Sequence, residues 1–171
     1  MLHTNVASLL NEQIKKELYS AYLYLDMANY YSDEGLEGFE NWFTVQAQEE
    51  RDHAMLIRTY LLNNDAKITL LPIEAPTGNY SGFADPLQKA LAHERGVTAS
   101  IYNIYTAAQE VRDYQTTEFL QWFVKGQAGG EKSSGDLIKK FQLFGGDPKG
   151  LYELDQERKA RAYTAPSLVL E

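Results

Sequence analysis

The sequence predicts an all-α protein: a four-helix bundle with one long crossover and a short fifth helix at its C-terminal end. Three observations carry this expectation. Apolar residues recur at alternating spacings of four and three through four long stretches. Turn and stop signals separate those stretches, at Asp33-Glu34-Gly35, Asn63-Asn64-Asp65, about Arg112 and Gly145-Gly146. The first and last connections of the bundle are only a few residues long, whereas the middle one holds about twenty.

The first helix is expected from Thr4, read as its N-cap, to the turn at Asp33, with the inward stripe Leu10, Ile14, Glu17, Ala21, Tyr24, Ala28. The second runs from about Leu36 to Asn63 and carries Phe39, Phe43, Gln46, Glu50, His53, Ile57, Leu61. A stretch without helical period follows, marked by Pro72, Pro76, Gly78 and Gly82. It contains Lys67 to Leu71, the one β-periodic run in the chain. Asp85-Pro86 is read as N-cap and first residue of a third helix, with the stripe Leu87, Leu91, Glu94, Thr98, Ile101, Tyr105, Ala108. The fourth spans about Tyr114 to Phe144, with Leu120, Phe123, Gln127, Gly130, Ser134, Leu137, Phe141, Phe144 inward. Asp147-Pro148 opens a last helix over about 147–162, and a tail runs to 171. The whole of 1–171 reads as one domain, with its bundle over about 4–144.

Short connections make the first and second helices, and the third and fourth, antiparallel neighbours. A linker of about twenty residues reaches roughly 65 Å. A helix of about 27 residues is only some 40 Å long. The middle connection therefore runs the length of the bundle.

Composition narrows the function. Of 171 residues, 44% are hydrophobic, enough for a sizeable core. The chain has no cysteine, which excludes disulfides, thiolate metal sites and cysteine nucleophiles. A formal charge of −8 argues against nucleic acid as a partner. No apolar run approaches the roughly 20 residues of a membrane span, and the N-terminus shows no secretory signal.

The stripes hold the functional signal, because polar residues interrupt each of them near mid-helix. Counted along antiparallel partners, Glu17 and Glu50 fall at nearly the same depth. An unpaired buried carboxylate costs several kcal/mol, and Glu17, Glu50 and Glu94 together would repel one another. No Lys or Arg lies on the stripes at that depth, so a bound cation is the expected neutraliser. His53 follows Glu50 by three residues and shares its helix face. Carboxylates with one imidazole suit iron, manganese or zinc. His3 reads as a terminal surface residue, and His93 points away from the Glu94 stripe.

These residues resemble a known family. Asn11-Glu12-Gln13 and Glu17 to Tyr22 resemble the opening helix of bacterial and archaeal non-haem ferritins. Ala47 to Ala54 resembles their second-helix ligand motif, and His93-Glu94 and Phe119 to Phe123 followed by Gln127 match the third and fourth helices. The resemblance implies one iron held by Glu17, Glu50 and His53. Glu50 would bridge to a second iron at Glu94, with Gln127 close by and the aromatic rings of Tyr24 and Trp122 beside the centre. It further implies oxidation of Fe(II) by dioxygen, a ferric mineral, and a cytoplasmic homo-oligomeric shell of 24 subunits. A haem-binding relative would carry methionine directly after Glu50, where this chain has Arg51, so no haem is expected. A rubrerythrin-type domain would need cysteine, and a DNA-protecting mini-ferritin would lack the fifth helix.

One segment departs from that family. Gly126, Gly129 and Gly130 stand where its members often place the glutamates of the second and third iron sites. Each glycine costs a helix about 1 kcal/mol relative to alanine. The segment reads either as a loss of iron ligands, with ferroxidase activity impaired, or as a local break in the fourth helix. Glu49 keeps the place of a third-site ligand without its companions. Glu131 is a poor replacement, because one residue turns a side chain by about 100°. A shell protein with little or no oxidation chemistry is the alternative reading.

Overall fold

The computed structural model describes residues 2–170, which form α1 (Thr4–Asp33), α2 (Glu37–Asn63), α3 (Asp85–Glu110), α4 (Tyr114–Phe144) and α5 (Pro148–Lys159). No strand occurs among these residues, and no helix among them is long and apolar enough to cross a membrane. The 67–71 run is extended but unpaired as a sheet. Asn11 holds it to α1, donating to the Lys67 carbonyl at 3.1 Å and accepting from the Thr69 N–H at 2.8 Å.

Contacts of the crossover give its direction. Residues 67–69 meet Asn11, Glu74 pairs with Lys15 at 2.6 Å, and Tyr80 donates to Asp26 at 2.5 Å. The linker thus climbs α1 from its N-terminal to its C-terminal end and delivers α3 antiparallel to α1.

Helix ends differ from the expected ones in small ways with clear causes. His3, not Thr4, caps α1, its exposed ring accepting from the Asn5 N–H at 3.3 Å. The third helix begins at Asp85 itself, with Ala84 as cap, and the Asp85 carboxylate accepts from the Ser81 N–H and Lys89 instead. The last helix stops at Lys159, three residues before the expected 162. Phe144, placed inward by its spacing, is 52% exposed at the end of α4.

Three helices close with the same left-handed turn. Gly35 (φ 75°) ends α1, where Leu36 N–H bonds to the Tyr31 carbonyl at 2.9 Å. Asp65 (φ 53°) and Arg112 (φ 58°) do the same for α2 and α3 without glycine. The start of α2 has no cap of its own. Instead Asp155 of α5, 4% exposed, accepts from the Gly38 and Phe39 N–H groups at 2.8 and 3.0 Å. A Cβ at Gly38 would lie 1.6 Å from the Asp155 carbonyl, so this docking requires glycine.

The core is in two halves. One gathers Leu10, Ile14, Ile57, Leu61, Ile101, Leu120 and Phe123. The other gathers Tyr24, Met27, Tyr31, Phe39, Phe43, Leu87 and Leu137. Between them lies a polar layer of Gln13, Glu17, Ser20, Glu50, Glu94, Gln127 and Ser134, each less than a tenth exposed.

The fourth helix is unbroken across its glycines. Adding a Cβ at Gly126 or Gly129 meets no atom within 4 Å. Gly126→Ala with Gly129→Ala is therefore expected to stabilise the protein by about 2 kcal/mol and raise its thermal midpoint by about 4–8 °C. An unchanged midpoint in differential scanning calorimetry would mean that helix propensity at these positions is already offset by something else.

Candidate metal centre

Glu17 of α1 and Glu50 and His53 of α2 come together in the polar layer, with one donor atom from each within 4.8 Å of the others. They are the only such group of three among the described residues. Glu50 and His53 share a face because they are three apart on α2. Antiparallel packing of α1 against α2 brings Glu17 opposite them. His53 Nδ1 lies 3.1 Å from Glu50 Oε2 and 3.9 Å from Glu17 Oε2.

Hydrogen bonds satisfy part of this layer. Gln46 donates to Glu50 Oε1 at 2.8 Å, and Gln13 donates to Glu17 Oε1 at 2.7 Å. Glu17 Oε2 is buried without a hydrogen-bond partner. That oxygen, aimed at Glu50 and His53, is the observation that best fits a cation. An orphaned acceptor inside a carboxylate–imidazole cluster is costly unless something positive meets it.

Charge in the layer follows from burial. Burial, followed by the charge of Glu50, pushes Glu17 up to about 8. Burial acts on Glu50 in the same direction. The charge of His53, and then the hydrogen bonds that His53 and Gln46 make to Glu50, outweigh it and hold Glu50 below the usual carboxylate range. Burial would lower His53, yet the charge and hydrogen bond of Glu50, then Glu17 and Glu94, lift it to about 9. At neutral pH the group thus holds protons that an entering cation would displace, so binding tightens as pH rises toward about 9.

Glu94 of α3 stands across the layer and is less than 5% exposed. Its Oε1 accepts a short hydrogen bond from the Tyr24 hydroxyl, and its Oε2 accepts from Gln127 Nε2 at 3.2 Å. Burial, then the charge of Glu50, push Glu94 up to about 7. Gln127 also donates toward the Glu94 carbonyl and Thr98 Oγ1, so its amide N–H₂ faces these oxygens. Tyr24 is fully buried, and its hydroxyl is raised well above the ordinary range by burial and then by Glu94.

Glu50, His53, Glu94 and Gln127 line a cavity of about 360 Å³ between α2 and α4, with Gly126 and Gly130 on its far wall. A Cβ at Gly130 would meet only Glu94 Oε2, at 4.0 Å. Glu131 turns away and accepts from Thr98 Oγ1 at 2.6 Å. Trp122 stands edge-on to His53, with ring centres 5.4 Å apart. His93 lies behind Tyr24 and pairs with Ser20 Oγ at 2.7 Å, away from the cavity.

Sequence reasoning missed two residues. Gln13 is fully buried beside Glu17 and bonds onward to Ser100. Its place one turn before Glu17 on α1 was the available signal. Arg161 also lines the cavity, from the tail beyond α5. A search of the stripes alone could not find this cation, because it arrives from more than 100 residues away along the chain.

The family model described as Ferritin, a ferritin-like domain, matches residues 7–144. Over 156 residues the chain is 36% identical to the bacterial non-heme ferritin of Campylobacter jejuni, covering 91% of this chain and 93% of that protein. It is 33% identical over 163 residues to the bacterial non-heme ferritin of Staphylococcus aureus, covering 95% and 98%. The open-pore ferritin of the archaeon Archaeoglobus fulgidus superposes with a TM-score of 0.92 at 36% identity, over 94% of this chain and 98% of that one. Its engineered closed form superposes at 0.94, over 96% and 100%.

Proposed function

Since this chain belongs to the ferritin family, we propose that it takes up Fe(II), oxidises it inside the bundle and stores it as ferric mineral in a cytoplasmic shell built from many copies, 24 on the family pattern. The observation that carries the reading is the buried, unpartnered Glu17 Oε2 facing Glu50 and His53.

Glu17, Glu50 and His53 would take the first Fe(II), whose charge replaces the protons held at Glu17 and His53. Glu50 and Glu94 would take the second, with Gln127 at its side. Two Fe(II) ions give one electron each to dioxygen, which leaves as hydrogen peroxide after taking two protons. Anionic oxygen ligands favour Fe(III) over Fe(II), which drives the step. The protein's part is to hold the two irons together at one depth and to keep bulk water out with the apolar halves on either side.

Assembly is supported by an apolar outer face. Tyr22 (51% exposed) and Leu25 (44%) of α1, with Ile73 (40%) of the crossover, form a patch that a second copy would cover. A second reading, a shell with little oxidation chemistry, is favoured by the absence of a carboxylate at Gly126, Gly129 and Gly130.

One experiment separates these. Light scattering should give a particle of many subunits. Anaerobic Fe(II) titration followed by dioxygen should then give slow formation of the ferric absorbance with fewer than two irons oxidised quickly per subunit. Monomers or dimers in native buffer would end the shell proposal. A shell that binds no Fe(II) would favour the second reading.

A further inference from the structure

We propose that Gln13 and Ser100 form a positioning relay that decides which oxygen of Glu17 is offered to a cation. The relay begins at the surface of α1 and passes through α3. Lys16 Nζ donates to Ser100 Oγ at 2.7 Å, Ser100 Oγ donates to Gln13 Oε1 at 2.7 Å, and Gln13 Nε2 donates to Glu17 Oε1 at 2.7 Å. Lys16 is exposed and Ser100 half-buried, whereas Gln13 and Glu17 are no more than 1% exposed. Three links thus connect solvent to a carboxyl group in the middle of the polar layer.

The sense of the relay follows from what each group can do. An ammonium only donates, so the Ser100 oxygen accepts from Lys16 and the hydroxyl hydrogen is left for Gln13. An amide oxygen only accepts, so Gln13 turns Oε1 to Ser100 and its N–H₂ to Glu17. The reverse orientation would press the amide oxygen against the Glu17 carboxylate, acceptor against acceptor.

The two oxygens of Glu17 are thereby given different tasks. Oε1 is taken by the amide, and Oε2 is left without a partner. The second helix repeats the contact, since Gln46, one turn before Glu50 as Gln13 is before Glu17, donates to Glu50 Oε1 at 2.8 Å. In both helices the oxygen left over is Oε2, and the two Oε2 atoms face His53 Nδ1 at 3.9 and 3.1 Å. A carboxylate held at one oxygen presents the other in a fixed direction before any ion arrives. Gln13 and Ser100 act only through Glu17. The inference rests on the reading of Glu17, Glu50 and His53 as a metal centre and concerns its support, not its oxidation chemistry.

Titration of assembled shells with Co(II), followed by visible absorbance, reads affinity and coordination together. Gln13→Leu keeps the bulk and removes the amide, and should weaken Co(II) binding at this centre by about 10–100-fold. It should also lower the absorbance per bound ion, because that absorbance falls as coordination number rises and both Glu17 oxygens become available. Ser100→Ala should move both readouts the same way by less, and Ser100→Thr, which keeps the hydroxyl, should match the unaltered protein. An affinity loss with an unchanged spectrum, or no difference between Ser100→Ala and Ser100→Thr, would overturn the proposal. Crystals of the metal-free variants supply a second readout. The Glu17 carboxyl group should leave its place in Gln13→Leu and Ser100→Ala and keep it in Ser100→Thr, and a carboxyl group that stays in all three also overturns the relay. Should Gln13→Leu fail to assemble, the two Ser100 variants decide alone. If the unaltered shell takes up no Co(II), the reading of the metal centre fails, while the position of Glu17 in the metal-free crystals still decides this inference.

Discussion

His53→Ala is expected to weaken Fe(II) or Zn(II) binding at the Glu17–Glu50–His53 position by more than about 100-fold. Residues that only support a ligand already cost 10–100-fold when removed, so a direct ligand should cost more. The substitution removes the only nitrogen donor of the group. Metal-free Glu50 also loses the neighbour whose charge and hydrogen bond, against burial, hold its carboxyl down. Gln127→Ala should cost less than about tenfold at the same position, since Gln127 touches Glu94 and Thr98 and neither Glu17 nor Glu50. Isothermal titration of the two variants at one pH makes the comparison. Equal losses would mean that the centre is not built on His53.

The second large effect concerns Gly130. Replacing it by glutamate is expected to speed Fe(II) oxidation by on the order of tenfold or more, the factor that about 1.4 kcal/mol of added stabilisation gives. Position 130 looks onto Glu94 Oε2 with nothing else close to a new Cβ, so a carboxylate fits there without displacing a neighbour. On the proposed reading, a second iron would have Glu94 and a shared Glu50 as its charged ligands, while Gln127 presents a neutral amide to Glu94. A further anion raises occupancy of that position, and two adjacent irons are what dioxygen reduction needs. The same change replaces a helix-interior glycine, worth roughly another 1 kcal/mol of stability. Stopped-flow absorbance at equal shell concentration reads the rate. If the unaltered protein already oxidises two irons per subunit rapidly and Gly130→Glu adds nothing, the second site does not depend on position 130.

Much of this architecture is legible in the chain because its determinants are local. The four stripes follow from the helical period, and Glu17, Glu50 and Glu94 stand out because they interrupt rows that are otherwise apolar. The pairing of Glu50 with His53 needs only a spacing of three. The length of the crossover is arithmetic, and residues 67–80 lie along α1 as that arithmetic requires.

Other features depend on contacts between distant segments, and there sequence reasoning stops. Spacing put Phe144 inward, but at the end of α4 it is half exposed, where no helix covers it. The glycine run allowed a broken helix, yet α4 stays continuous because packing and backbone bonds on both sides carry it across a modest propensity cost. The cap of α2 comes from Asp155, and the cation beside Glu49 comes from Arg161. Neither has a local signature. By itself the sequence determined the helices, their order and the depth of the buried carboxylates, since periodicity and loop length are properties of neighbouring residues. Only the tertiary structure decided which groups meet those carboxylates, because a hydrogen bond or ion pair across helices depends on where the packed backbone ends, not on spacing along the chain.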